Sequence, residues 1–494
     1  MRLLFVQANG LSEMIGFANI SAYLKHHGHQ VDLLLLSHAK DWLKEIKEFQ
    51  PDLLGFSAFT GMHKSVFETA AMMKKRLGVP VIIGGPHPTF YPECIEQYPG
   101  IDFICSGEGE QVLLDLFKAM QSGSDYTSIP GLAVRTDQQV IYNGAAAINY
   151  DIERVPLPDR DIYFSKYKFL ADIPMKRFIA GYGCPFDCTF CHQPIMRGAL
   201  GVAKSKFMRQ KSVTRVIQEI EYLRDKYPLK RVHFSDDLFA LNSGWLEQFA
   251  REYKQRINIP YSCNIRFDML TENTVKLLKG SNCVAAQVGL ESGNEDLRNL
   301  VLKKKVSNEQ AIKGAGMLKR HGIKLFTTNI IGLPGETLEN SFETVKLNHK
   351  IKANYIRINT LMAYPRTEIY EQALKQGYIE PYSWDDMTSD ALKLHCKTPY
   401  QNEFKNITTL FYYMIKFPKM LPLFKKLIKL KHNWIYKWLG IINIVQETLY
   451  FDIPLYRGFI FFKNTILKSS IETNLHWVPF NLSYLSKKPK AKEF

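Results

Sequence analysis

The chain is poor in cysteine, with eight among 494 residues. Five of them, Cys94, Cys105, Cys263, Cys283 and Cys396, are scattered without the paired spacing of a disulfide framework, which argues for a reducing compartment and for inert, buried thiols. No stretch reaches the roughly 18 uninterrupted apolar residues of a spanning helix. The opening Met-Arg-Leu-Leu-Phe-Val-Gln is too short an apolar run for a signal peptide and reads as a first strand. These absences lead to the expectation of a cytoplasmic protein. The first 150 residues also lack a G-x-G-x-x-G between strand and helix, and Gly107-Glu108-Gly109-Glu110 is acidic and would repel a pyrophosphate, which argues against a dinucleotide site. The length, with a hydrophobic content of 46%, is enough for two or three cores.

The remaining three cysteines sit together. Cys184, Cys188 and Cys191 lie in Gly-Cys-Pro-Phe-Asp-Cys-Thr-Phe-Cys-His, a C-x3-C-x2-C cluster. Three soft thiolates on one short loop suit three irons of a cubane 4Fe-4S cluster and leave the fourth iron open for a small molecule. A zinc knuckle would need a closed four-ligand set, for which the nearest other candidate is His192, and simple packing of three thiols is the remaining reading. The spacing and its neighbours resemble the radical S-adenosylmethionine superfamily. That resemblance implies that the open iron chelates the amino and carboxylate groups of S-adenosylmethionine, with Phe190 beside the adenine.

Upstream, apolar runs at 3–7, 31–36, 53–57, 81–84 and 103–106 alternate with amphipathic stretches at 17–27, 64–77 and 110–121. This predicts a parallel, doubly wound sheet whose ligand crevice lies beyond the carboxyl ends of the strands, at loops 7–16, 57–63 and 84–89. Ser57, Gly84-Gly85 within Gly-Gly-Pro-His-Pro-Thr, and Gly107-Glu108-Gly109-Glu110 resemble the cobalamin-binding domain that precedes many radical S-adenosylmethionine enzymes. Glycine has a physical reason there, because a bulky dimethylbenzimidazole tail slid between sheet and helices needs backbone without side chains in its way. Taken alone, Gly-Gly-Pro is equally a strand-ending turn. The Asp-x-His-x-x-Gly pattern of proteins that ligate cobalt through histidine is missing from residues 9–16. The resemblance therefore implies a cobalamin without that lower ligand, with loop residues including Ser57 and His87 touching the corrin. Loss of the ligand would favour four-coordinate cob(I).

After a hairpin near 132–142 and a proline- and charge-marked linker at 144–172, alternation returns. Strands are expected at 177–180, 231–235, 261–265, 284–289, 325–331 and 356–361, with helices at 213–227, 244–256, 272–280, 308–321 and 338–350. Six such units make a partial (β/α)6, TIM-like barrel with the cysteine loop at its carboxyl-end face. The expected class is α/β: a Rossmann-like cobalamin domain at 1–143, the linker, the radical barrel at 173–395 and a mostly helical region at 396–494. By resemblance, Asp236 or Asp237 holds the amino group of S-adenosylmethionine, although either could cap the next helix. Asn264 and Arg266 meet its ribose and carboxylate. Glu291 lies near the methionyl or ribose moiety, and Gly332, in Gly-Leu-Pro-Gly-Glu-Thr, makes backbone contact with adenine while Thr337 starts a helix. The loop Tyr364-Pro365-Arg366-Thr367 is expected to help close the site.

Of the formal charge of +16, ten units belong to residues 401–494, which hold 15 Lys and Arg against 5 Asp and Glu. There, lysines interleave with aromatics over 404–468. Phe424, Leu427, Ile428, Ile435 and Trp438 fall near one helical face, with Lys425, Lys429 and Lys437 nearer another. The stretch reads either as a helical cap over the barrel mouth or as a surface for anionic membrane at the inner face. Nucleic acid is not expected, because no recognised binding module appears. The family resemblance covers residues 1–395 and implies an enzyme using a 4Fe-4S cluster, S-adenosylmethionine and cobalamin, served by a one-electron donor such as flavodoxin or ferredoxin. The implied reaction is C-methylation of an unactivated carbon of a small, hydrophobic or lipid-like substrate through a 5'-deoxyadenosyl radical. Radical oxidation, cyclisation or rearrangement without methyl transfer is the alternative, and a cobalamin or redox sensor is the alternative from another class.

Overall fold

Short runs rich in leucine, isoleucine, valine and phenylalanine form two sheets, and the helices between them carry matching apolar faces. The computed structural model describes residues 1–8, 13–387 and 396–450. In the N-terminal sheet the spatial order is Gln30–Leu35, Arg2–Gln7, Leu53–Ser57, Val81–Gly84 and Phe103–Cys105, all parallel, followed by the antiparallel hairpin Leu132–Arg135 and Val140–Tyr142. Strand residues alternate between two cores, as the period of two requires. Leu3, Phe5, Leu33, Leu53, Ile82 and Phe103 pack with the helices Ile15–His26 and Gly109–Ser122. Leu4, Val6, Leu34, Leu54, Ile83 and Ile104 pack with the helix His63–Leu77. The order reverses between Arg2–Gln7 and Leu53–Ser57, which opens a crevice at the carboxyl ends there. Within that pair Gly55 stands opposite Phe5. The ring occupies the space a side chain at 55 would need, since a Cβ would come within 2.8 Å of it.

The segment expected as a linker is docked against the sheet. It forms the short helices Asp161–Phe164 and Lys168–Ala171. Tyr163 Oη donates to Gln7 Oε1 at 2.8 Å, and Tyr167 Oη receives Leu35 N at 2.9 Å. Arg160, fully buried, pairs with Glu13 and donates to the carbonyl of Arg177 at 3.0 Å.

The second sheet runs Met175–Phe178, Arg231–Phe234, Tyr261–Ile265, Cys283–Glu291, Lys324–Ile331 and Tyr355–Thr360, each strand parallel to its sequence neighbour. This is the expected partial barrel, open between its first and last strands. The first strand begins two residues earlier than its apolar run suggested. Helix starts are capped locally: Ser212, Asn242, Thr271, Ser307 and Thr337 each accept a first-turn amide, with capping boxes at Ser307 and Thr337.

Among the described residues, the C-terminal helices pack on the outer side and the amino end of the barrel and not over its mouth. Gln401–Lys416 lies along the helix Leu338–Lys350, where His349 Nδ1 is 2.9 Å from the carbonyl of Ile415 and Lys416 Nζ donates to the carbonyl of Ala353 at 2.8 Å. The helix Ile441–Tyr450 meets the last strand through Gln446, which accepts from Ile356 N at 3.1 Å. Tyr450 is buried against Met175, Phe326 and Tyr355, at the amino end of the strands. The expected single helical face across 424–438 is divided between Leu421–Leu427 and Trp434–Leu439. Asn406 and Asn402 donate to the carbonyls of Ile428 and Leu430 left free by the break. The part of the basic stretch beyond 450 lies outside the described residues.

Candidate functional site

The cysteine loop leaves the carboxyl end of the first barrel strand and lies between the short antiparallel strands Gly181–Tyr182 and Arg209–Gln210. It is held from both sides: Thr189 Oγ1 donates to the carbonyl of Val301 at 2.7 Å, and the carbonyl of Thr189 accepts from Ile369 N at 3.1 Å. Cys188 is buried, Cys184 and Cys191 are half-buried, and all three are free thiols. Burial pushes the Cys191 thiol up to about 12 and raises Cys184 as well. Iron binding would have to displace those protons. Arg266 lies over the Phe186 ring at 3.6 Å, with Nη1 3.8 Å from Cys188 Sγ. Among the described residues no three His, Cys, Asp or Glu converge on a single ion. A cubane, unlike a mononuclear zinc, takes its thiolates on separate irons. Three thiols on one loop are the donor set that such a cluster would need.

The strand-end residues divide by what they already touch. Asp236 is buried, and its carboxylate accepts from Ala180 N at 3.1 Å and Gly181 N at 2.6 Å. Burial, against those amides, pushes it up to about 7. It therefore positions the backbone entering the cysteine loop. Asp237 faces the loop instead, accepting from Gln193 Nε2 at 2.7 Å. Neither caps the next helix, which Asn242 does. Asn264 donates to the carbonyl of Asp236 at 2.8 Å, and its buried Oδ1 has no protein partner among the described residues, an acceptor that a ligand hydroxyl or amine would satisfy. Arg266 is committed to Asp268 through two bonds of 2.9 Å, so its fork is not open for a second carboxylate. Glu291 accepts from Lys304 Nζ at 2.9 Å, and both are buried. A Cβ at Gly289 would fall 2.0 Å from that carboxylate, so the pair depends on glycine there. The amide of Gly332 is bonded to Glu336 at 2.7 Å, which leaves its carbonyl and Cα for a neighbour. Phe190, within the loop, packs against the small apolar cluster that contains Leu302, Leu333 and Tyr370.

Glu336, the acid of Gly-Leu-Pro-Gly-Glu-Thr, has a part that the motif by itself does not assign. Its carboxylate gathers Gly332 N, Leu333 N at 3.0 Å and Ser341 Oγ at 2.7 Å, and burial pushes it up to about 7.

Across from the barrel, a cavity of about 660 Å³ runs from the cleft into the N-terminal domain. Phe5, Gly55, Ile82, Cys105 and Leu113 line its depth, and Ser57, Gly84, Gly85 and Phe59 its opening, opposite Arg177, Ile179 and Ser235 of the barrel. A second cavity of about 430 Å³ shares Gly16, Gly85, Glu110, Ile179 and Ser235 and reaches Asp236, Asp237 and Gln193. Gly85, at φ 101°, is the hinge of this shape: a Cβ there would meet Ser57 Oγ at 2.6 Å and the Ala58 carbonyl at 2.9 Å. An apolar slot between sheet and helices, opening into a cleft with a polar wall, fits a cobalamin nucleotide tail and its amide-fringed ring. Of the loop at 9–16, residues 9–12 lie outside the described residues, while Met14 and Gly16 line the slot.

His87 departs from expectation. It is fully buried and lines neither cavity. Its ring stacks on His63 at 3.9 Å, meets Trp384 edge-on at 5.6 Å and shares a 3.1 Å contact with Thr60 Oγ1. Burial, with His63 second, pushes it down to about 2. His63 in turn reaches Asp385 at 3.1 Å, as does Tyr98 Oη. The turn of the helix Pro86–Phe90 carries His87 away from the cleft while Pro86 stays in it.

Residues 178–347 match the Radical SAM superfamily, and residues 1–117 match the B12 binding domain. The chain is 29% identical to an uncharacterized methyltransferase of Pyrococcus horikoshii over 71% of this chain and 75% of that one. It is also 29% identical to the anaerobic magnesium-protoporphyrin IX monomethyl ester cyclase of Rubrivivax gelatinosus, over 70% of this chain and 65% of the cyclase. Among solved structures it is similar in fold to the radical S-adenosylmethionine methyltransferase TsrM from Kitasatospora setae (TM-score 0.65, 19% identity, 76% of each chain). It is likewise similar to the cobalamin-dependent radical enzyme OxsB (TM-score 0.67, 17% identity, 95% of this chain and 75% of that one).

Proposed function

This chain belongs to the cobalamin-dependent radical S-adenosylmethionine enzymes, and we propose that it methylates an unactivated carbon of a small, hydrophobic molecule. One observation carries the reading: Gly183 and Gln193, which flank the three cysteines, line a cavity that shares Gly85, Ile179 and Ser235 with the glycine-lined slot, so a methyl carrier and a radical source would lie beside one cleft. When bound, the cluster, S-adenosylmethionine and cobalamin supply an electron, a hydrogen-abstracting radical and a methyl carrier. The residues supply position and dryness. Cys184, Cys188 and Cys191 hold iron, and Arg266 offsets their charge. Asn264 Oδ1 and Asp237 are the open acceptors for S-adenosylmethionine, while Asp236, Glu291 with Lys304, and Glu336 hold the strand ends in place. Phe59, Met62 and Ile179 keep water from the cleft. A flavodoxin or ferredoxin is the proposed electron donor.

A second reading, radical cyclisation or oxidation without methyl transfer, is favoured by the similarity to the cyclase. The two are separated by anaerobic turnover with S-adenosylmethionine labelled in its methyl group, using fractions that stimulate 5'-deoxyadenosine release. Label in the product supports methylation. Unlabelled product with 5'-deoxyadenosine supports the second reading. Absence of both from every fraction leaves a sensor as the function.

A further inference from the structure

Between residues 404 and 446 the chain carries eight lysines and neither aspartate nor glutamate. Folding sorts the apolar side chains of this stretch into two sets. Phe404, Phe411, Phe424, Ile428 and Tyr436 are buried in the core. Phe417, Met420, Leu423, Leu430, Trp434 and Trp438 face solvent, Trp434 with 68% and Trp438 with 50% of its surface exposed. Of thirteen large hydrophobic side chains exposed among the described residues, seven come from 417–438, so the exposure is concentrated rather than scattered. The backbone that presents them is held: Tyr436 Oη donates to the carbonyl of Leu427 at 2.7 Å and Tyr413 Oη to that of Leu439 at 3.1 Å. Lys419, Lys426, Lys429 and Lys431 are exposed beside them. Glu339 reaches in from the barrel and holds Lys425 at 3.2 Å.

Tryptophan rings and leucines flanked by ammonium groups match the chemistry of a lipid headgroup layer, where the rings sit at the boundary and the cations meet phosphate. We propose that residues 417–438 form a docking surface for an anionic membrane. Two other occupants fit less well. A nucleic acid would use the lysines and rings but leaves Met420, Leu423, Leu430 and Ile435 with nothing to stack on. A second copy of the chain would set lysine against lysine. Among the described residues no helix is long and apolar enough to cross a membrane, and the surface proposed here lies on one. This inference rests on the surface alone and stands apart from the choice between methylation and cyclisation.

The test is co-sedimentation of the full chain with phosphatidylcholine vesicles, with and without phosphatidylglycerol, at low and raised salt. Binding should need the anionic lipid and weaken as salt rises. It should fall about fivefold for each lysine replaced in a Lys419→Gln, Lys426→Gln, Lys429→Gln, Lys431→Gln series. The double variant Trp434→Ala, Trp438→Ala should lose binding while keeping its circular dichroism and iron content. Quenching of tryptophan emission by lipids brominated in the acyl chain tests insertion without any variant. Failure of the intact protein to bind anionic vesicles at low salt overturns the proposal. So does equal binding to neutral vesicles, undiminished binding by the lysine series, or binding of an oligonucleotide or self-association in place of vesicles.

Discussion

At the scale of single residues, function rests on a few groups whose surroundings set their charge. Replacing Cys184, Cys188 and Cys191 together with alanine should reduce anaerobically reconstituted iron from about four per chain to background and abolish 5'-deoxyadenosine release; iron analysis and chromatography measure both. Because His63 and His87 are buried away from the cleft, cob(II)alamin bound to the protein should show no nitrogen hyperfine splitting from a lower ligand. Splitting that vanishes in His87→Ala would refute this. His87 is held neutral at about 2 by burial, so below pH 6.5 the unfolded chain binds a proton that the folded chain does not, and its contribution to stability is lost as pH falls. Asp236 and Glu336 act in the opposite sense: raised to about 7, they contribute below the ordinary carboxylate range and lose that contribution as pH climbs toward 7. Comparison with a variant isolates the histidine. The stability gap between wild type and His87→Gln should narrow by about 2 kcal/mol between pH 6.5 and 5 in urea unfolding, and a constant gap would count against a neutral His87.

At the scale of elements, strand periodicity and helix caps act locally, and both are legible in the chain. The strand Val81–Gly84 and the turn after it show where a local signal becomes a functional shape. Gly85→Val should strain the left-handed backbone and drive a side chain into Ser57 and Ala58. Cobalamin retained after gel filtration should then fall at least about tenfold, as expected for more than 1.4 kcal/mol of lost binding. Iron per chain should not change, because the cysteine loop belongs to the other sheet. Equal loss of both would mean that the substitution unfolds the whole protein.

At the scale of the whole molecule, the two sheets are joined on both sides of the cleft. Tyr163 and Tyr167 of the connecting segment grip Gln7, Leu33 and Leu35. On the far side, Asp385 from the segment after the barrel receives His63 and Tyr98 of the N-terminal domain, and Arg366 donates to the carbonyl of Phe90 at 2.6 Å and pairs with Glu93. Asp385→Ala leaves a buried histidine and a tyrosine without their partner. It should lower stability by about 1–3 kcal/mol, raise hydrogen exchange at 60–63 and 86–98, and weaken cobalamin retention with iron unchanged. If exchange in those segments does not rise, the strap is not what holds the domains together.

The sequence alone determined the alternation of strands and helices, the three-cysteine loop and the glycines of the slot, because each is written in neighbouring residues: side-chain direction repeats every two or 3.6 positions, and a C-x3-C-x2-C spacing puts three thiols on one short loop. What a polar side chain faces is not local information. The motif could not separate Asp236, which binds backbone amides, from Asp237, which faces the cysteine loop. Nor could it show that Arg266 is committed to Asp268, or that His87 turns from the cleft into a stack completed by His63 and, through it, by Asp385, 322 positions from His63. Likewise the tail's aromatics were visible as composition. Only packing against the helix Leu338–Lys350 and the last barrel strand decided which are buried and which meet water, since burial depends on the distant surface that each residue is folded against.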